Sequence, residues 1–577
     1  MTFSSKIGGY SYDEKIYRIF IAVAAAFSPV SCSLDEKSYM EIEKDEYMNS
    51  PQEAQNVLLG VYRNLQNDAL YGMNLSLYFT LGTDIAKVEG SSPNSWRDLP
   101  CNTFSTSNSY VENTWKALYN AIYDANDFIE NLSRKAPQWG ESQRTLAAIY
   151  MAEARTLRAF YYFELVRWFG HPVLMKTTAE SRIHPSEFVQ PDPVEVYEFI
   201  EEDLKYAAEV LPWAVDDVYR TDSRYRVSKG TALGLLAKVY ATWAGYPVND
   251  QSKWEAAANT AKIVVESGKH HLLDDYEQLW KNTCNNVWDA QESLFEVSFY
   301  TATITGSDPI GRIGKWNGVT AADGSGDFIR IAANWKAMPT FAKDWKDAEP
   351  GDKRWAISIA DYKYTANGKV ALGTYTPTGS TTKQDLTLEI AVDDNAKADW
   401  RKPFNNALSP AKWDLAKYVE KQLADANYSN VNWYLLRYSD VLLLYAEALN
   451  EWHKGPTTDA YSALNMVRRR GYGLPVNASG AADVANNLGY EQFREAVRKE
   501  RAYELAFEGH RRQDLVRWGI YYETVMETAA KCVDWHEQMP SLYIISDYTV
   551  KGRHEVLPIP QRDLDMMGKC IQNDGWR

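Results

Sequence analysis

Apolar residues recur at i, i+3, i+4 and i+7 through nine stretches of the chain. That spacing predicts amphipathic α-helices over Glu53–Asn67, Val111–Leu132, Glu141–Phe169, Pro193–Leu211, Ser228–Ala244, Ser252–Ser267, Tyr434–His453, Thr458–Arg469 and Tyr490–Trp518. Asp192-Pro193 and Gly455-Pro456-Thr457 read as helix starts, because they combine a side-chain cap with a proline. Two pairs carry alanines where neighbouring helices would cross, and read as helical hairpins: Ala232–Ala244 with Trp254–Val265, and Val441–Trp452 with Ala460–Val467.

The text AKVYATWAG followed by WEAAANTAKIVVES resembles a tetratricopeptide repeat, and YAEALNEWHKG followed by DAYSALNMVRRRG is a second such unit. Long inserts interrupt any regular period, so the fold class is mainly α, a degenerate helical-repeat scaffold with irregular inserts. One insert covers about 68–110 and is rich in Gly, Ser, Asn and Pro. The other covers about 270–432 and mixes turns with short β-like runs such as Leu294–Ser298 and Thr387–Val392. Loops this long are usually functional or disordered, and these are too aromatic for disorder. Six tryptophans fall between 280 and 355, where an even spread of the 20 would give fewer than three.

Composition excludes whole classes of function. A formal net charge of −15 argues against a nucleic-acid binder, which would be basic or carry a basic stripe. The longest uncharged apolar run, Ile19–Phe27, is nine residues and too short to span a bilayer. It follows Lys15 and Arg18 and precedes Ser28-Pro29-Val30-Ser31-Cys32, the layout of a secretory signal. A cysteine after a small residue resembles the lipobox of bacterial lipoproteins, although Pro29 departs from its usual leucine. Cys32 is therefore the expected lipidation site, with simple secretion as the alternative. Asp13 and Glu14 fit such a leader poorly, which places the expected start nearer Lys15. Cys101, Cys284, Cys532 and Cys570 have no metal-ligand spacing and read as isolated thiols, with their disulfide state left open.

The charge-dense segment 498–517 imitates an active site. On one continuous helix Glu500, Glu504 and Glu508 would share a face, with Arg501, Arg511, Arg512 and Asp514 beside them. Carboxylates so surrounded by guanidinium groups read as a structural ion network, as do Arg158, Arg437 and Glu447 in apolar helical text. The eight histidines form no ligand pattern, and no nucleophile elbow, phosphate loop or dinucleotide fingerprint is present. No catalytic residue, cofactor or metal is assigned.

The insert aromatics carry the positive chemistry. A pyranose ring offers a face of C–H bonds to an indole or phenol, while its hydroxyls need directional polar partners at the edge. Trp96-Arg97-Asp98 in the first insert, and Trp288, Tyr300 and Trp316-Asn317 in the second, pair a flat ring with polar neighbours. These seven are the candidate glycan-binding residues. The alternative for each ring is packing beneath a loop.

Four ordered segments resemble the SusD/RagB family of Bacteroidetes outer-membrane lipoproteins. They are Ala152–Leu165 with Trp168-Phe169-Gly170 and Pro172, Arg437–Ala448, Glu500–Gly519, and Leu557-Pro558-Ile559-Pro560 with Gln572-Asn573. The resemblance implies a signal segment at 1–31 and one SusD-like domain over 32–577, on a tetratricopeptide-like scaffold. It also implies a non-catalytic cell-surface protein, lipid-anchored in the outer membrane, that captures oligo- or polysaccharide. The captured glycan would pass to a SusC-like TonB-dependent transporter. Two alternatives stay open: a peptide-binding, RagB-like member and a surface glycoside hydrolase.

Overall fold

The computed structural model describes residues 47–89, 96–301, 311–321, 330–365, 368–371, 374–375, 384–385, 408–420, 425–532 and 543–577. Cys32, the 1–31 signal segment and the β-like run Thr387–Val392 lie outside the described residues. From Met48 to Arg577 the chain is one compact unit.

Helices occupy all nine predicted stretches. α1 (Pro51–Arg63) begins where the Ser50 hydroxyl accepts the Glu53 amide, with proline at the first helical position. α2 (Ser109–Lys135) is capped by Asn108, and α3 is Arg144–Phe169. α4 (Pro193–Val210) starts at the Asp192-Pro193 signal, and a Ser228–Thr231 capping box opens α5 (Lys229–Trp243). α6 is Lys253–Glu266, α7 is Tyr438–His453, and Thr457 caps α8 (Thr458–Tyr472). Successive helices from α2 to α8 pack side by side, and α5/α6 and α7/α8 form the two expected hairpins.

Two helix boundaries need correction. Tyr434 starts no helix, because Trp433–Arg437 is a strand, β4, antiparallel to β2 (Ser293–Val297). All five residues of each strand are buried, so this run shows no alternation that would separate it from helical text. Within α5, a Cβ at Gly234 would come 2.8 Å from Leu436 on β4 and 3.1 Å from Leu294 on β2, so glycine lets the helix lie on this ribbon.

The second correction concerns Tyr490–Trp518. α9 (Tyr490–Glu504) stops, Phe507 and Gly509 take positive φ, and α10 runs Arg511–Arg517. Glu508 therefore lies in the turn, off the helix that carries Glu500 and Glu504.

The turn lets all three carboxylates meet cations from different elements. Glu504 bonds Arg437 at 2.9 Å, Arg470 at 2.6 Å and Arg354 at 2.9 Å. Glu508 takes Lys412 and Arg437, each at 2.7 Å, and Glu500 takes Arg354 at 2.6 Å and Arg468 at 3.0 Å. Arg501 joins Asp440 and Asp514, Arg517 joins Glu447, and Arg158 joins Asp203. All of these side chains are buried, so the charges lie within the scaffold, as expected from their apolar setting.

Candidate functional site

Residues 220 positions apart meet because a short antiparallel pair stitches the two inserts together. β1 (Ala86–Val88) pairs with β3 (Trp335–Ala337), and the Glu89 amide continues the ladder to the Asn334 carbonyl at 2.8 Å. On the β1 side, Arg97 Nε donates to the Glu89 carbonyl at 2.9 Å, which fixes the turn that begins at Trp96. On the β3 side, the Trp335 amide donates to the Trp316 carbonyl at 3.1 Å. Trp96 and Trp316 end with ring centroids 5.7 Å apart and planes at 85°.

Tyr78 completes the corner. Its ring stacks on Trp96 at 5.5 Å, meets Trp316 edge-on at 6.1 Å, and receives the edge of Tyr110 at 5.5 Å. The 69–78 segment is pinned to the start of α2. Asn74 donates to Thr114 at 2.9 Å, and Thr114 donates to the Ala69 carbonyl at 2.7 Å. Burial, followed by the Tyr110 phenol, pushes the Tyr78 hydroxyl well above its ordinary range, so it stays neutral. Trp96, Trp316 and Tyr110 are half-buried.

Polar groups border this corner. The Arg97 guanidinium lies 4.6 Å over the Trp96 ring. Arg312 pairs with Asp68 at 2.7 Å and lies 4.5 Å over Tyr428. Burial opposes the Arg312 charge, but Asp68 outweighs it, so the guanidinium stays ionised.

Two predicted polar residues have other work. Asn317 is fully buried, and its Oδ1 accepts the Gly314 amide at 2.6 Å, closing the turn that holds out Trp316. Asp98 starts a one-turn helix, Asp98–Cys101, and accepts the Thr103 hydroxyl at 2.9 Å. Asn317 thus shapes the turn beside Trp316, and Asp98 the turn that follows Trp96.

Trp288 and Tyr300 form a second patch. Trp288 is half-buried with its ring 6.3 Å from Tyr225, whose hydroxyl donates to the Asn286 carbonyl at 2.7 Å. Tyr225 and Asn286 both take positive φ, an uncommon state for a tyrosine that the surrounding bonds must maintain. The Asn286 side-chain amide donates to the carbonyls of Phe299 (3.1 Å) and Asn430 (2.6 Å) and to Asn432 Oδ1 (2.6 Å). Between Phe299 and Thr301, Tyr300 stands 65% exposed. Gly311 bridges Ser429, so the strand of backbone that anchors this patch also anchors the Trp316 turn.

Of the six tryptophans between 280 and 355, Trp280, Trp335, Trp345 and Trp355 are buried in packing, while Trp288 and Trp316 are not. Sequence reading missed Tyr78, Tyr110, Asp68, Arg312 and Tyr428. Tyr78 and Tyr110 lie in the same insert as Trp96, so weighing tyrosine with tryptophan there would have found them. Arg312 and Tyr428 carried no signal, because only the folded chain brings 312 to 428. Outside these patches, the four free cysteines among the described residues are three buried thiols and the half-buried Cys570.

Comparison with known proteins agrees with this architecture. A family model described as "SusD family" matches residues 318–576, and one described as "Starch-binding associating with outer membrane" matches residues 33–241. A solved SusD homologue from Bacteroides thetaiotaomicron is 52% identical, covers 94% of this chain and 100% of its own, and superposes with a TM-score of 0.87. SusD-like protein P25 of Formosa agariphila is 27% identical over 97% of this chain and 98% of its own length. A solved laminarin-binding SusD-like protein is 25% identical over 91% of this chain and 99% of its own, with a TM-score of 0.66.

Proposed function

The chain belongs to the SusD/RagB family, and from that premise we propose that it is a cell-surface lipoprotein that captures oligo- or polysaccharide and delivers it to a SusC-like TonB-dependent transporter. Glycan would lie across Trp96 and Trp316, backed by Tyr78 and bordered by Arg97 and Arg312. One observation carries this reading: β1–β3 pairing holds two half-exposed indoles at 85° with tyrosines behind them. Such a corner offers rigid apolar area to the C–H faces of two adjacent sugars at low cost in side-chain entropy.

Trp288, Tyr225 and Tyr300 would contact a longer chain of sugars. The clustered carboxylates of 498–517 are committed to guanidinium partners, which supports binding without hydrolysis. Half-buried aromatic rings set at an angle support glycan over peptide here. Attachment through lipidated Cys32 at the extracellular face of the outer membrane completes the proposal, and avidity at that surface would compensate for a shallow site. Calorimetry with laminarin and α-glucan oligosaccharides tests it. Wild-type protein should bind one series without releasing reducing ends, and the Trp96→Ala, Trp316→Ala double variant should not bind. Co-purification with a transporter barrel, and loss of acyl label in Cys32→Ser, test the partner and the anchor.

A further inference from the structure

A pocket of about 420 Å³ opens between α2, the connection after α3, and the C-terminal segment. Trp115, Tyr119 and Tyr123 line it at i, i+4 and i+8 of α2, and so share one helix face. At 100° per residue that face is turned about 180° from Tyr110, and Tyr119 lies about 13 Å further along the axis. The pocket is thus distinct from the Trp96–Trp316 corner.

Its walls are fixed. The Tyr119 hydroxyl donates to the Val173 carbonyl at 2.9 Å and accepts the Val173 amide at 2.8 Å. Tyr162 holds Met175 in the same way, at 2.7 and 2.8 Å. Phe188, Ile183 and Met567 add apolar surface, and Ile183 is 43% exposed at the mouth.

Two charges complete the lining, Lys116 from α2 and Asp563 from the C-terminal segment. Beside them Glu112 and Arg562 neutralise each other at 3.1 Å. Among the described residues neither Lys116 nor Asp563 has an ion-pair partner within 4 Å, although the two feel each other electrostatically. Burial, then the charge of Glu112, raises the Asp563 carboxyl above its ordinary range, while Arg562 and Lys116 act on it from a distance and offset only part of that rise. An apolar pocket with a carboxylate and an ammonium that make no direct ion pair fits a molecule that carries the converse pair.

We propose that this pocket binds a small zwitterion with an apolar side chain, either a free aromatic or branched amino acid or a dipeptide of such residues. The ligand's ammonium meets Asp563, its carboxylate meets Lys116, and its side chain lies against Tyr119, Tyr123 and Phe188. The volume falls in the small-ligand range of about 300–1,000 Å³. This assignment is independent of the glycan site.

Calorimetry on the full chain with L-phenylalanine and L-phenylalanyl-L-leucine tests it. Saturable binding is expected, weakened about tenfold or more by N-acetylation, by C-terminal amidation, by Asp563→Asn and by Lys116→Gln, as for loss of one charge-assisted contact. Tyr123→Ala should abolish binding, while Trp316→Ala should leave it unchanged. Lys116 is exposed and Asp563 half-buried, and neither holds an ion pair in the described residues, so their variants should melt as the wild type does. The proposal fails if neither probe saturates the wild type, if doubly capped dipeptide binds as well as the free one, or if the two charge variants bind undiminished.

Discussion

The ion network around Arg437 and the aromatic corner around Trp316 invert what their compositions suggest. The network gathers acids and bases at a density that an active site would have, yet Arg437, Glu504 and Arg470 are almost fully buried and satisfy one another. The corner has few charges, yet it is where side chains face solvent. Charge density alone thus says little about where chemistry happens. What separates the two regions is pairing: in the network each carboxylate has one or more guanidinium or ammonium partners, while the two indoles stay only half-buried.

Removing Arg437 should have the largest effect. Its guanidinium bonds Glu508 at 2.7 and 2.8 Å, Glu292 and Glu504 at 2.9 Å, and Ser439 at 2.6 Å. Arg437→Ala would leave three buried carboxylates short of a cation, at a cost of about 3–5 kcal/mol. Denaturant titration should find that loss, with glycan affinity per folded molecule unchanged. The pH dependence follows from Glu504. Burial opposes its charge, but Arg470, Arg437 and Arg354 outweigh burial and hold it well below 4.5. The unfolded chain therefore binds this proton first as pH falls. The contribution is complete above pH 4.5 and lost on acidification below it.

Glu296 sharpens the comparison, since it is equally buried but has no cation. Its partners are Asn432 and Ser293, each at 2.8 Å, and burial raises it to about 7. Here the folded chain holds the proton more tightly, so stability is complete below pH 4.5 and falls as pH rises to about 7. Glu296→Gln keeps a hydrogen-bonding group and removes the charge. It should be more stable than the wild type at pH 8 by up to about 3 kcal/mol, from 1.36 kcal/mol per pKa unit. Near pH 4.5 the gain should vanish. Parallel stability curves for the two proteins would show that Glu296 does not hold its proton more tightly in the folded chain, and that its missing cation is not what separates it from Glu504.

Much of the scaffold was legible because amphipathic periodicity survives in helices that bury one face, as in α1 and α2. It failed where burial is complete. β4 is buried on both faces and merged with α7, and the 505–510 turn reads as helical because Leu505, Ala506 and Phe507 continue the apolar pattern. In the candidate site, Trp96 and Trp316 could be proposed from insert context, but their contact depends on β1–β3 register. Asn317 looked like a free polar neighbour, and only the fold shows its amide turned into the Gly314 turn.

The Trp96→Ala, Trp316→Ala double variant should reverse the Arg437 pattern. Both rings are half-exposed, so stability should drop by about 1–2 kcal/mol. Glycan affinity should fall at least about tenfold, or ~1.4 kcal/mol. A stability loss equal to that of Arg437→Ala, with affinity kept, would make the corner a second core and not a shelf.

Tyr300→Ala should have the smallest effect and decides how far the shelf extends. The ring is 65% exposed, so its removal should change stability by less than about 0.5 kcal/mol. Its backbone is nevertheless fixed. The Phe299 amide donates to Asn432 at 3.0 Å, the Thr301 amide donates to Asn430 Oδ1 at 2.9 Å, and Asn430 returns a bond to the Thr301 carbonyl at 2.9 Å. A ring so exposed on so constrained a backbone spends little entropy in meeting a ligand. Truncation should weaken binding of a long oligosaccharide about two- to fivefold, or ~0.4–1 kcal/mol. Binding of a disaccharide, short enough to meet only the two indoles in the proposed site, should be unchanged. Equal losses for both lengths would mean that Tyr300 belongs to the corner itself, and no loss for either would confine recognition to the two indoles.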